Sequence, residues 1–269
     1  MDSTSLIPVR HRYVSSPNGP LHALDFGGSG RTTVCLHGVT GSAWVWHDVA
    51  RDIGRRVVAV DMRGHGDSAW SADKHYETAD HVDDLAQQLD ALGDTDFDLV
   101  GSSWGALVAL EYAAAHPDRI RHLALVDIEP SFDQADTDLM PRPHTFDDYQ
   151  AARAWLAESN PRAPQSALDA MTYGSMRRNK TGAVVPKHDP MLFERWPFRN
   201  GDHWSSLPKI QCPTLMVNAG YTFVRGEVME RMNATVAQST LVKIQESGHV
   251  VPLDNPAALV EVLSRFLDS

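Results

Sequence analysis

The chain has 269 residues, 42% of them hydrophobic, and no low-complexity tract, which suits one large α/β domain or two small ones and argues against disorder. Lys and Arg number 24 against 35 Asp and Glu, and the formal charge of −11 disfavours nucleic acid and anionic membranes as partners. No apolar run approaches the ~18 residues of a membrane span, and the start, MDSTSLIPVRHRY, lacks a basic-then-apolar leader, so a cytoplasmic protein is expected.

In chain order, LHALDFGG and TTVCLHG read as strands joined by the turn GGSG, and SAWVWHDVARDI as a helix with Ser42 near its start. RRVVAVDMRG reads as a strand, and ETADHVDDLAQQLDALG as an acidic amphipathic helix closed by Gly93. FDLVGSS is a strand, WGALVALEYAAAHPDR a helix that stops at Pro117, and IRHLALVD the next strand. Residues 129–205 break this rhythm with a proline-rich stretch that is helical in patches, as in DDYQAARAWLAE. The alternation resumes with CPTLMVNAG, a helix near VRGEVMERM, the strand STLVKIQ and a final helix from Pro256.

Such alternation predicts parallel strands with crossover helices on both faces. The expected organisation is a core of residues 1–128 and 206–269, with 129–205 as a helical cap over the carboxyl edge of the sheet, where open α/β sheets bind ligands. Cys35 and Cys212 lie in apolar strand-like runs and are expected as buried thiols. Asn179 and Asn233 open sequons that, with no leader ahead of them, are read as chance.

Chemistry concentrates in three places. In LVGSSWG, Gly101 and Gly105 bracket Ser103 rather than Ser102 on a strand-to-helix turn. Small residues on both sides let that backbone fold sharply and push one side chain out over the sheet edge, which makes Ser103 the candidate nucleophile. A serine acting on a carbonyl needs a base, an acid to orient it and donors for the developing oxyanion. The candidate base is His249 in ESGHVVPLDNP, on a loop at a strand end. The candidate donors are backbone amides: Val39 in the glycine-rich turn of LHGVTG, and Trp104 after the nucleophile. His37 sits in the same turn, as a lining or turn-holding residue rather than a base. Trp155 and Trp196 either line an aromatic pocket or pack the cap on the core. No spacing of His, Cys, Asp and Glu resembles a zinc site, and no cofactor or metal is expected.

LHGVTGS, DMRGHGDS, GSSWG and SGHVVPLDNP, in this order and spacing, resemble the α/β-hydrolase family over nearly the whole chain. The resemblance implies a mostly parallel sheet with the cap inserted after the sixth strand and a nucleophile–histidine pair. It also implies that DMRGHGDS is a strand-to-loop element rather than a phosphate cradle. Family members usually carry the triad acid just after the strand matching PTLMV. Here residues 219–223 hold no carboxylate. Asp127, ending the strand after the nucleophile's, resembles the acid of a minority of the family, with Glu129 as the alternative and Asp254 assigned to the turn before the last helix.

The expected function is cofactor-independent hydrolysis of an ester or lactone of a small, moderately apolar or aromatic molecule through an acyl-enzyme, by a monomer or homodimer. The alternatives are a carbon–carbon bond hydrolase using the same residues, a cofactor-free dioxygenase using the His/Asp pair, and a non-enzymatic binder of the same fold.

Overall fold

The structure is a computed structural model and describes residues 7–131, 142–193 and 201–269. Its strands are β1 (Arg10–Val14), β2 (Leu21–Asp25), β3 (Thr32–Leu36), β4 (Arg56–Val60), β5 (Phe97–Ser102), β6 (Ile120–Val126), β7 (Met176–Arg178), β8 (Val184–Pro186), β9 (Thr214–Tyr221) and β10 (Ser239–Gly248). Its helices are α1 (His47–Asp52), α2 (Thr78–Leu92), α3 (Trp104–Ala115), α4 (Tyr149–Ser159), α5 (Gln165–Ser175), α6 (Gly226–Thr235), α7 (Val251–Asp254) and α8 (Pro256–Leu267).

Eight strands form one sheet in the order β1-β2-β4-β3-β5-β6-β9-β10, in which β2 runs antiparallel to both its neighbours, β1 and β4, and the six from β4 to β10 run parallel to one another. This is the mostly parallel α/β sheet that the alternation predicted. Side chains alternate between its faces, as period-2 strands require. Val34 and Leu36 of β3 join one apolar cluster, with α2, α3 and α6, while Cys35 joins the other, with α1 and α8. Both cysteines are buried and free.

Helix α3 is apolar on nearly every side and buries nine of its twelve residues, because it packs directly against β5, the strand that leads into it. Helix α2 is amphipathic instead, and Gly93 closes it at φ +78°, where a side chain would be strained. The helix expected from Ser42 begins as a 3-10 turn, Ala43–Trp46, with the Ser42 hydroxyl accepting from the Trp44 amide, before α1 takes over.

Two elements differ from expectation. Strand β1 pairs antiparallel with β2 from Arg10↔Asp25 to Val14↔Leu21, in a stretch for which the sequence predicts no element. Between β6 and β9 the described residues form α4, α5 and the β7–β8 hairpin. This insert rests on the core through α5, whose Leu168 and Met171 share an apolar cluster with Val45 and Val49.

Candidate active site

Parallel strands deliver their carboxyl ends to one edge, and four of those ends build the site. They carry His37–Val39 after β3, Ser103 after β5, Asp127 after β6 and His249 after β10.

Ser103 stands between the last residue of β5 and the first of α3 at φ +54°, ψ −127°. The turn is that tight because its flanking residues have no side chains. A Cβ on Gly101 would lie 2.3 Å from the Gly105 carbonyl oxygen, and one on Gly105 would lie 2.5 Å from that of His37. The other serine, Ser102, is the buried end of β5.

The Ser103 hydroxyl lies 2.9 Å from His249 Nε2, and His249 Nδ1 lies 2.8 Å from Asp127 Oδ2. Asp127 is fully buried and also takes a non-glycine positive φ, +53°. Its carboxylate accepts from three further donors: the Ala219 amide at 2.8 Å, Asn218 Nδ2 at 3.1 Å and the Thr222 hydroxyl at 2.6 Å. Four hydrogen bonds onto two oxygens match the acceptor capacity of an ionised carboxylate. Facing it, Nδ1 of His249 must hold the ring proton, which leaves Nε2 with the lone pair that can accept from Ser103. The imidazole keeps 21% of its side-chain surface exposed, so the chain of contacts ends where solvent can reach it.

Glu129 is elsewhere engaged. Its oxygens take the Arg225 backbone amide at 2.7 Å and the Arg225 guanidinium at 2.5 Å. Asp254, at the end of α7, is buried with one oxygen unpartnered, and burial pushes its carboxyl up to about 6.

The glycine-rich turn after β3 is pinned from several sides. The Gly38 carbonyl, which belongs to the same peptide unit as the Val39 amide, accepts from His37 Nδ1 at 2.7 Å and from the Gly41 amide at 2.9 Å. The Val39 carbonyl accepts from His65 Nε2 at 2.8 Å. His37 Nε2 in turn accepts from the Met62 amide at 3.1 Å, so both ring nitrogens are occupied and the ring is wholly buried. Burial, with His65 nearby, pushes the His37 imidazole down to about 3 and keeps it neutral. His37 therefore holds the turn, and it presents no surface to a pocket as a lining residue would. Among the described residues the Val39 amide has no hydrogen-bond partner. Trp104 opens α3, where backbone amides point out of the helix start.

Trp155 is half-buried in the insert, 5.8 Å from the Phe146 ring and beneath the Arg142 guanidinium at 5.6 Å. Trp196 lies outside the described residues. Two aromatic residues not anticipated as site residues stand on the β9 turn instead. Phe223 lies 4.4 Å from the His249 ring and is 62% exposed, and Tyr221 is half exposed beneath Arg162 at 3.7 Å. The signal for them was in plain view, since the turn that lacks a carboxylate carries Tyr221, Thr222 and Phe223 in sequence.

A strand-borne serine at a strained turn, a histidine against it and a buried aspartate behind define a class of protein by fold and site together. The family model of the alpha/beta hydrolase fold matches residues 33–256, and the chain belongs to that family. It is 30% identical over 266 residues to esterase Rv0045c of Mycobacterium tuberculosis, covering 93% of this chain and 87% of that protein. It is 26% identical over 255 residues to the N-formylmaleamate deformylase of Pseudomonas putida, covering 92% of each. The crystal structure of the same mycobacterial esterase superposes with a TM-score of 0.83 at 26% identity, over 100% of this chain and 99% of that one. The thioesterase domain from the curacin biosynthetic pathway, at 23% identity and a TM-score of 0.84 over 95% of this chain and 99% of that one, shares the fold. The family match and the esterase and deformylase relatives support hydrolase activity. Among the described residues no helix is long and apolar enough to cross a membrane.

Proposed function

We propose that the protein is a serine hydrolase that cleaves an ester or lactone of a small, moderately apolar molecule through an acyl-enzyme. The observation that carries this reading is the unbroken contact chain from Ser103 through His249 to Asp127, at 2.9 and 2.8 Å. His249 Nε2 takes the Ser103 proton as the oxygen attacks the substrate carbonyl, and Asp127 stabilises the imidazolium that results. Collapse of the tetrahedral intermediate returns that proton to the leaving alcohol, and His249 then activates a water to release the acid. The Val39 and Trp104 amides are the donors assigned to the oxyanion, with Val39 held in place through the Gly38 carbonyl by His37. The exposed Phe223 ring beside His249 supports an apolar or aromatic group next to the scissile bond.

The test is a panel of aryl esters, aliphatic esters, lactones and diketones, assayed on the purified protein with and without oxygen. Turnover of an ester or lactone, independent of oxygen, supports the reading. Preference for a diketone would replace the ester by a carbon–carbon bond at the same serine, and oxygen-dependent turnover would replace hydrolysis altogether.

A further inference from the structure

Outside the Ser103 site, the β1–β2 hairpin and the loop after β4 bring together His11, His22 and Asp67, whose donor atoms all lie within 4.8 Å of one another. We propose that these three side chains form a binding site for a divalent transition-metal cation, with Zn²⁺ the ion that suits them best.

His22 is the pre-set ligand. It is fully buried, and its Nδ1 donates to Asp61 Oδ2 at 2.7 Å, which leaves the Nε2 lone pair pointing at His11. A carboxylate behind an imidazole is the arrangement that orients metal-ligating histidines and raises their basicity. Asp61 fixes Asp67 as well, since the same Oδ2 accepts the Asp67 amide at 3.0 Å. It also holds the His22 backbone indirectly. The Ser68 hydroxyl accepts the His22 amide at 2.8 Å and donates to the Asp61 carbonyl at 2.6 Å. One buried residue thus anchors two of the three ligands.

His11 supplies the third. It stands on β1 with Nδ1 2.8 Å from His22 Nε2, in a single hydrogen bond that a cation would replace. Ligand atoms around a tetrahedral zinc are roughly 3.3 Å apart, given bonds of about 2.0–2.1 Å. The exposed His11 ring must therefore swing outward by about half an ångström and carry its proton on Nε2. Asp67, which is half-buried, must move inward. Two imidazoles and one carboxylate favour zinc and its neighbours over magnesium or calcium, and three protein ligands leave a position for water. One group opposes the ion: Lys187 Nζ sits 3.0 Å from Asp67 Oδ2.

That opposition sets the experiment. Protein stripped with a chelator is titrated with ZnCl₂, and with MgCl₂ as control, following stoichiometry by equilibrium dialysis and melting temperature in parallel. One zinc per chain is expected, with no magnesium at the same concentration. His11→Ala, at an exposed position on an edge strand, should weaken zinc binding by at least about 10-fold, as should Asp67→Asn. Lys187→Met should tighten it, a change that a purely structural role for Asp67 does not produce. No stoichiometric zinc on the wild-type protein, equal binding by His11→Ala, or weaker binding by Lys187→Met would each overturn the proposal.

Discussion

Thr222 donates its hydroxyl at 2.6 Å to Asp127 Oδ2, the same oxygen that faces His249 Nδ1. The end of β9 and the turn after it thus supply three donors to the carboxylate of Asp127, which stands after β6. Thr222→Val keeps the shape and removes one donor of four. The expected outcome is a loss of roughly 10-fold in kcat with little change in KM, because the carboxylate that steadies the imidazolium is less firmly held. Steady-state kinetics on the best ester from the panel measures it, and a change confined to KM would count against it.

Asp127→Asn should cut kcat by up to ~10⁴, since an amide can favour the wrong imidazole tautomer and cannot stabilise the imidazolium. Glu129→Gln should cost far less, because Glu129 holds Arg225 at the neighbouring turn. A circular dichroism spectrum unchanged from wild type keeps both comparisons about chemistry. The reverse ranking would reassign the acid.

Ser103→Ala should abolish both turnover and labelling by an organophosphonate, while Ser102→Ala should leave most of each. Mass spectrometry of the labelled peptide decides between them. A label on Ser102 would mean that the turn does not select the nucleophile as its geometry implies.

Asp254 carries a pH-dependent penalty. Its carboxyl sits near 6 in the folded chain against an ordinary value of 3.8, with burial as the first cause. Between those values the unfolded chain has released the proton and the folded chain has not, so this group's contribution to stability falls as pH rises. Asp254→Asn removes the titration. Relative to wild type it should therefore gain about 1–2 kcal/mol on going from pH 4 to pH 8. Urea unfolding at both pH values reads the difference, and a gap that does not widen with pH would refute it.

Trp155 packs against Phe146 at 5.8 Å and bridges the insert's small apolar cluster and the core. Trp155→Ala should cost about 2–3 kcal/mol and lower the melting temperature, with similar relative activity on a minimal acetate ester and a bulky one. Selective loss on bulky acyl groups, with no change in melting temperature, would instead make Trp155 a pocket wall.

Much of this molecule could be read from the chain alone, because its signals are local. Strand–helix alternation follows from periodicity, and the turn at Ser103 from two glycines whose missing Cβ atoms permit it. The order of Ser103, Asp127 and His249 along parallel strands places their ends on one edge, as a parallel sheet must. What the chain left open were relations between distant segments. Asp127 and Glu129 are two residues apart and chemically alike, and only the fold turns one toward His249 and the other toward Arg225. His37 stood as a pocket residue or a turn-holder until Met62, 25 positions on, occupied its second nitrogen. Strand β1 has no periodic signature of its own and exists because β2 offers it an edge. His11, His22 and Asp67 follow no ligand spacing, and it takes the hairpin register and a buried Asp61 to bring them together. Local sequence specifies which backbone conformations are cheap, whereas which side chain meets which partner is settled by burial, where every hydrogen-bonding group must find its match.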